Sequence, residues 1–353
     1  MSIPGKKNKK KTKFYTAAVV LAVLILAAAI GGYLIWNNRN TAETAAGRKG
    51  DGISGSASHE EEASSAGNTS STVTYQGKEY AYNDHLSNFL FLGIDSREKT
   101  QTQVGRADAG QADAIFLVSW DRVDHSLTGI TIPRDTITEI QIFDQEGNRA
   151  GKSRDHINLA YAYGDGGRES CELMEEAVSN LLYGIPMQGY CSLSMDGIPL
   201  LVEKVGGVTV TVPDDSLETV NPQWTQGSQI QLTPENVEDF VRYRDTGESQ
   251  SAMVRMERQQ EFLNAYAAKA RQVYGENPSL ITDLYTALED YMVTDISNGQ
   301  FAQIMGGLAE QENIRTWTLP GEGTQGEGFD EYHVDDSQLY EKILETFYKE
   351  VEN

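Results

Sequence analysis

Residues Phe14–Trp36 run for 23 positions without a charged side chain, and this stretch restricts the fold more than any other part of the sequence. As a helix it would be about 35 Å long, enough to cross a hydrocarbon core. Phe14, Tyr15, Tyr33 and Trp36 place aromatic rings at both ends, where lipid headgroups would lie. Six lysines (Lys6, Lys7, Lys9, Lys10, Lys11, Lys13) precede it, and only Arg39 follows closely. The positive-inside rule therefore predicts a cytoplasmic N-terminus and an extracellular remainder. A cleaved secretory signal is the competing reading, but its apolar region is usually shorter, ~7–15 residues, and ends in a small-x-small site. The expectation is a single-pass protein of the cell membrane. It has a basic cytoplasmic tail at 1–13 and a transmembrane helix at 14–36.

The next segment, 37–80, reads as a flexible extracellular stalk. Most of it is Ser, Gly, Ala, Thr and Glu with few large apolar residues, a composition that cannot bury a core. The remaining residues, 81–353, read as one catalytic-sized domain, since no later linker divides them. The whole chain of 353 residues carries −23, and its first 40 residues carry seven cations and no acid, which leaves −30 on the rest. A body of that charge excludes nucleic acid as a partner, because phosphate backbones are bound by basic surfaces.

Short apolar runs at Asn88–Gly93, Ala114–Trp120, Leu127–Ile132, Tyr190–Met195, Val208–Val212 and Ile314–Leu319 have strand length and turn residues nearby. Helical patterns occupy Arg168–Tyr183, Gly197–Val205, Pro234–Tyr243, Ala252–Tyr274 and Ser337–Val351, with Thr233-Pro234 reading as a helix start. The alternation predicts a layered α/β/α domain with a central mixed sheet flanked by helices. The unbroken apolar character of Phe89–Leu92 and Ile115–Val118 predicts strands buried on both faces.

Three clusters could carry chemistry. Asp95 follows the first strand, where ligands of open α/β sheets sit, and Asp113 begins the next. Together they would suit a magnesium ion held by few protein oxygens plus substrate phosphates; each alone is equally a turn-capping Asp. Arg134-Asp135 follows the strand ending at Ile132, and the plain alternative is a surface ion pair. The third cluster is Arg242-Tyr243-Arg244-Asp245 followed by Arg255–Gln260, including Arg258 and Gln259. Arginines grouped in a body of −30 point to a bound phosphate, which guanidinium recognises bidentately. Arg255, Gln259, Phe262 and Tyr266 have spacing that places them on one helix face. Gly164-Asp165-Gly166-Gly167 is either an anion-binding nest or a plain turn before a helix. Cys171 and Cys191 would be free to pair outside the cytoplasm, or to stay as buried thiols. The sequence has no GxxxxGK, HExxH or GxSxG motif, and its five scattered histidines argue against zinc.

In this order, Asn88–Arg97, Thr131–Asp135, His156–Gly164, Gly206–Val208, Val241–Arg244, Arg255–Gln260 and Leu319–Gly321 resemble the LytR–CpsA–Psr family from Leu86 to the C-terminus. The resemblance implies a Mg2+-dependent phosphotransferase. Such an enzyme moves a glycopolymer (teichoic acid, capsule or another wall polysaccharide) from an undecaprenyl diphosphate carrier onto peptidoglycan. It implies that Asp95 and Asp113 hold the metal and that Arg134, Arg242, Arg244, Arg255, Arg258 and Gln259 grip the diphosphate. Asp95, Arg134, Asp135 and Arg244 become the catalytic set, with Asp135 or Asp245 as the group that accepts the acceptor's proton. One departure stands out: the family usually has Arg-Ser-Asp where this chain has Gln111-Ala112-Asp113. Arg106 is the nearest basic residue that could substitute. The departure keeps open a second expectation, an extracellular protein that binds the carrier-linked polymer without chemistry. A transcriptional role conflicts with the external acidic body.

Overall fold

Alternating large side chains in the first long strand set the architecture. Phe89 and Phe91 point into one apolar core, and Leu90 and Leu92 into another on the opposite side. The computed structural model describes residues 72–95, 102–243, 251–310, 315–325 and 330–351. In chain order its elements are β1 (Thr72–Tyr75), β2 (Lys78–Tyr82), β3 (Leu86–Ile94), β4 (Ala112–Asp121), β5 (Leu127–Ile132), β6 (Ile137–Phe143) and β7 (Arg149–His156). Helices α1 (Leu159–Ala162) and α2 (Arg168–Leu181) lead to β8 (Gly189–Ser194) and α3 (Ile198–Lys204). The hairpin β9 (Val208–Thr211) and β10 (Gln229–Leu232) precedes α4 (Val237–Arg242), α5 (Ser251–Glu276) and α6 (Leu280–Leu288). Then come β11 (Met292–Thr294), α7 (Asn298–Glu310), β12 (Arg315–Thr318), β13 (Gly321–Gln325), β14 (Asp330–Val334), α8 (Asp336–Phe347) and β15 (Tyr348–Glu350).

The central sheet has six strands in the order β11-β8-β3-β4-β5-β12. It is mixed: β3 pairs antiparallel with β4 but parallel with β8, and β5 pairs antiparallel with β4 but parallel with β12. On one face Leu201, Phe240, Phe262, Leu284 and Phe301, from α3 to α7, cover Phe91 and Phe116. On the other, Met174 and Val178 of α2 and Leu339, Ile343 and Phe347 of α8 cover Leu90, Leu92 and Ile115. Both faces of β3 and β4 are therefore dry. Each such side chain contributes roughly 1.5–3 kcal/mol when taken out of water. This is the predicted mixed α/β arrangement.

The folded body begins before the predicted boundary at 81. Thr72–Tyr82 forms a hairpin whose turn, Gln76-Gly77, has φ of 50° and 80°, the double left-handed geometry that matches strand twist. β15 extends this small sheet by pairing with β2. The last helix stops at Phe347, not Val351, because Tyr348–Glu350 is recruited as that third strand. The hairpin β6–β7 has no counterpart in the sequence reading: residues 149–154 are exposed throughout, so no apolar alternation marks the strand. Cys171 and Cys191 are both buried free thiols. They belong to the two different cores, and Cys171 donates instead to the Ser192 hydroxyl at 3.4 Å. The expected membrane helix at 14–36 lies outside the described residues; among those described, no helix is long and apolar enough to cross a membrane.

Candidate functional site

Four strand ends meet at one edge of the central sheet. β3 and β8 are parallel, so the residues after Ile94 and Ser194 emerge together. β4 runs the other way, so its first residues lie beside them, and β5 brings the chain back to the same edge. The edge therefore collects Asp95, Asp113, Arg134-Asp135 and Asp196 from sequence positions a hundred residues apart. A local irregularity exposes one of them. The β3–β4 register runs Gly93↔Ala114 and then Ile94↔Ala112, leaving Asp113 as the extra residue. Such bulges redirect a side chain and are frequent beside active sites.

The charges at this edge are paired in two groups, one around Arg134 and one around Arg242. Arg134 donates through Nη1 to Asp113 and through Nε to Asp135 at 3.1 Å. Burial works against its charge, but Asp113, Asp135 and Asp95 outweigh it and raise the guanidinium pKa above the ordinary value. Arg242, at the end of α4, reaches across with Nη2 3.5 Å from Asp95, and with Nη1 3.6 Å from Asp196 and 3.7 Å from Glu238. Nη1 is buried and makes no hydrogen bond among the described residues. A desolvated guanidinium nitrogen at ion-pair distance from carboxylates but without a hydrogen bond among the described residues could donate to a further acceptor.

Backbone contacts fix this frame. The amide of Asp95 donates to the carbonyl of Gln111 at 3.2 Å. Asn158, buried, donates its amide to the Arg134 carbonyl at 3.3 Å and accepts the Ala112 amide at 3.4 Å. Its Nδ2 donates to Gln111 Oε1 at 3.1 Å. Gln111, the residue that departs from the family pattern, is thus tied to Asn158, while Arg106 is exposed on a neighbouring turn. The segment Gly164–Gly167 is a turn, not an anion nest. Its Gly166 amide donates to Ser170 Oγ at 2.8 Å and its Gly167 amide to Asp165 Oδ1 at 2.8 Å, so these donors are used internally.

Of the predicted residues, Asp95, Asp113, Arg134, Asp135 and Arg242 come together. Arg244 and Asp245 lie outside the described residues, as do the side chains of Arg255 and Gln259 on α5. Arg258 does not serve as a substrate ligand in this structure. It is 1% exposed and its guanidinium is spent on protein acceptors: Phe240 O at 3.1 Å, both oxygens of Asp214 at 3.3 Å, Ser216 Oγ at 2.5 Å and Tyr243 O. The reason is helical register. Arg258, Phe262, Tyr266 and Ala270 recur every fourth residue and are all buried, so Arg258 shares the core face. Asp196 and Glu238 were missed by sequence reasoning. Asp196 follows a strand end, as Asp95 does, and Glu238 sits one turn before Arg242; both signals were present.

The donor set bears on which cation could sit here. Asp95 and Asp113 offer hard carboxylate oxygens, and no group of three His, Cys, Asp or Glu residues that could hold a metal occurs among the described residues. A Mg2+ ion held by these two carboxylates would keep water and take its remaining ligands from substrate phosphates.

The LytR_cpsA_psr family model matches residues 52–347. Curated relatives include a protein of Bacillus mycoides (strain KBAB4) named polyisoprenyl-teichoic acid–peptidoglycan teichoic acid transferase TagU. It is 27% identical over 251 residues, 70% of this chain and 73% of the relative. A protein of the same name from Halalkalibacterium halodurans is 28% identical over 241 residues, covering 67% and 70%. Among solved structures, the protein gbs0355 of Streptococcus agalactiae superposes with a TM-score of 0.54 at 21% identity, covering 76% of this chain and 90% of that one; it supports the fold.

Proposed function

The chain belongs to the LytR–CpsA–Psr family, and from that premise we propose that it is a phosphotransferase that attaches a cell-wall glycopolymer, teichoic acid or a related polymer, to peptidoglycan. The donor is the polymer on a polyprenyl diphosphate, undecaprenyl in the simplest case. A hydroxyl of a peptidoglycan sugar attacks the phosphorus next to the polymer, a phosphodiester forms, and polyprenyl phosphate leaves. The names of the curated relatives support the reaction class. The observation that carries the reading is Nη1 of Arg242, buried and without a hydrogen bond among the described residues, on an arginine that pairs with Asp95 at the edge where Arg134 pairs with Asp113.

Phosphoryl transfer asks a protein mainly for position and for charge at the equatorial and leaving oxygens. Arg242 supplies a donor already stripped of water, and Arg134 supplies a planar fork fixed at two carboxylates. Asp95 and Asp113 would hold Mg2+, which contributes Lewis acidity toward the diphosphate. Asp135, paired to Arg134 Nε, remains the candidate to take the sugar hydroxyl's proton. Polyprenyl carriers are confined to a membrane, and an N-terminal helix at 14–36 with the body outside the cell would hold the site beside them.

The test is a transfer assay with the full-length chain, a polyprenyl-diphosphate-linked teichoic acid precursor, peptidoglycan oligosaccharide and Mg2+. Release of polyprenyl phosphate coupled to acceptor labelling is expected, and Asp95→Ala should abolish both. Gln111, where the family resemblance implies an arginine, favours a second reading, a carrier-polymer binding protein without turnover. Tight precursor binding with no release of polyprenyl phosphate would establish that reading and remove the first.

A further inference from the structure

We propose that Arg258 is a positioning residue, which holds the end of α4 so that Arg242 points at the carboxylate edge. The inference rests on the reading of Arg242 as a phosphate ligand.

Helix α4 is six residues long and ends at Arg242. Its last carbonyls have no intrahelical donors, and a helix this short cannot hold its own terminus. Arg258 supplies the missing donors from a different helix. Nε bonds to the Phe240 carbonyl at 3.1 Å and Nη2 to the Tyr243 carbonyl, so one planar group grips the backbone on both sides of Arg242. The cation also lies where the helix dipole favours it. The guanidinium stands 5.9 Å from the centre of the Tyr243 ring, and Thr219 Oγ1 donates to Tyr243 Oη at 2.8 Å.

A buried charge persists only when it is paired. Here Asp214 faces Nη1 with both oxygens at 3.3 Å, and Ser216 Oγ approaches at 2.5 Å. Asp214 is itself fixed, accepting the Ser216 amide at 2.8 Å. The knot thus joins α5, the segment 214–219 and the end of α4. Its geometry needs a rigid fork: a lysine ammonium can neutralise Asp214 but cannot span the Phe240 and Tyr243 carbonyls together. Arg258 therefore acts on a substrate through Arg242 without touching it.

Two readouts on the full-length protein in detergent micelles test this. The first is the Nε–H resonance of Arg242 in ligand-free 15N-labelled protein, assigned by its loss in Arg242→Lys. Arg258→Lys is expected to shift or broaden that resonance. The core variant Ile343→Val, on the opposite face of the sheet, should lower Tm without moving it. The second is the affinity for Mg2+–pyrophosphate, which Arg258→Lys should weaken roughly tenfold or more, as displaced catalytic groups do, and Ile343→Val should not. If Arg258→Lys does not fold, Ser216→Ala keeps the charge pair and removes one acceptor, and a smaller change of the same kind is expected. An Arg242 resonance unmoved by the Arg258 and Ser216 variants, or moved equally by Ile343→Val, overturns the positioning role. A disturbed resonance in a protein whose wild type does not bind pyrophosphate upholds that role and removes the phosphate reading instead.

Discussion

Arg242 Nη2 stands 3.5 Å from the carboxylate of Asp95, an ion pair that links the arginine arm of α4 to the end of β3. The two residues lie on different elements and differ in exposure: the Arg242 side chain is 18% exposed and that of Asp95 54%. The pair is loose, and surface pairs of this kind contribute little to stability. Asp95→Asn should therefore leave stability within about 0.5 kcal/mol of wild type. It should reduce transfer by about 10²-fold or more, the scale of losing one electrostatic contact to a transition state. Thermal melts and the polyprenyl phosphate release assay measure the two effects. A large fall in Tm would make Asp95 a structural residue.

Arg134 is held differently. Its contacts to Asp113 and Asp135 use two edges of one planar group. Lysine keeps the charge but loses the fork. Arg134→Lys should keep the fold and lower kcat by roughly 10- to 100-fold, short of the 10²–10³ seen when a transition-state donor is removed outright. KM for the donor should change less than kcat if the fork acts mainly on the transferring group. Equal activity in the lysine variant would mean that charge alone suffices at this position.

Cys171 and Cys191 sit in separate cores, and burial pushes the Cys191 thiol up to about 12. Thiols this far from ionisation are poor nucleophiles. Reductant should leave Tm unchanged. A thiol reagent should modify neither cysteine in native protein and both after denaturation. A Tm that falls in reductant would demonstrate a disulfide.

Much of the frame was legible because its strands are dry on both faces. Phe89–Leu92 and Ile115–Val118 have no polar residue to break the run, the pattern of a strand buried on both faces. Asp95, Asp113 and Arg134 were legible because each follows or begins such a strand, at the edge where ligands bind. β6–β7 was not, since residues 149–154 of β7 all face water, and β6 buries Thr138 and Ile140 without a continuous apolar run to mark it. Arg258 was misread for a related reason. Charge and motif placed it with the phosphate ligands, but the four-residue register with Phe262 and Tyr266 places it in the core. Only tertiary neighbours, Asp214 and the end of α4, make a buried arginine tolerable there. The approach of Asp196 to Arg242 likewise depends on how α4 docks, whereas Glu238 stands one turn before Arg242 on the same helix and its spacing was readable.

Glu175 offers a test of electrostatics away from the site. It lies on α2, and burial, with Asp295 and Glu172 adding repulsion, pushes its carboxyl up to about 7 from the 4.5 of a free glutamate. Asp295 cannot move aside easily, because it accepts the Tyr190 amide at 2.7 Å. The native protein therefore binds this proton more tightly than the unfolded chain does. The resulting stability is complete below about pH 4.5 and is lost as pH rises through about 7. Glu175→Gln removes the titration and keeps the side chain's shape. Its Tm should exceed that of wild type at pH 8, and the gap should close steadily toward pH 4.5. His156 also has a raised pKa, from its bonds to Asp155 and the Asp330 carbonyl acting against burial. Its contribution falls in the same direction but is common to both proteins and cancels in the difference. A Tm difference that is constant from pH 4.5 to 8 would show that Glu175 titrates as an ordinary surface carboxylate.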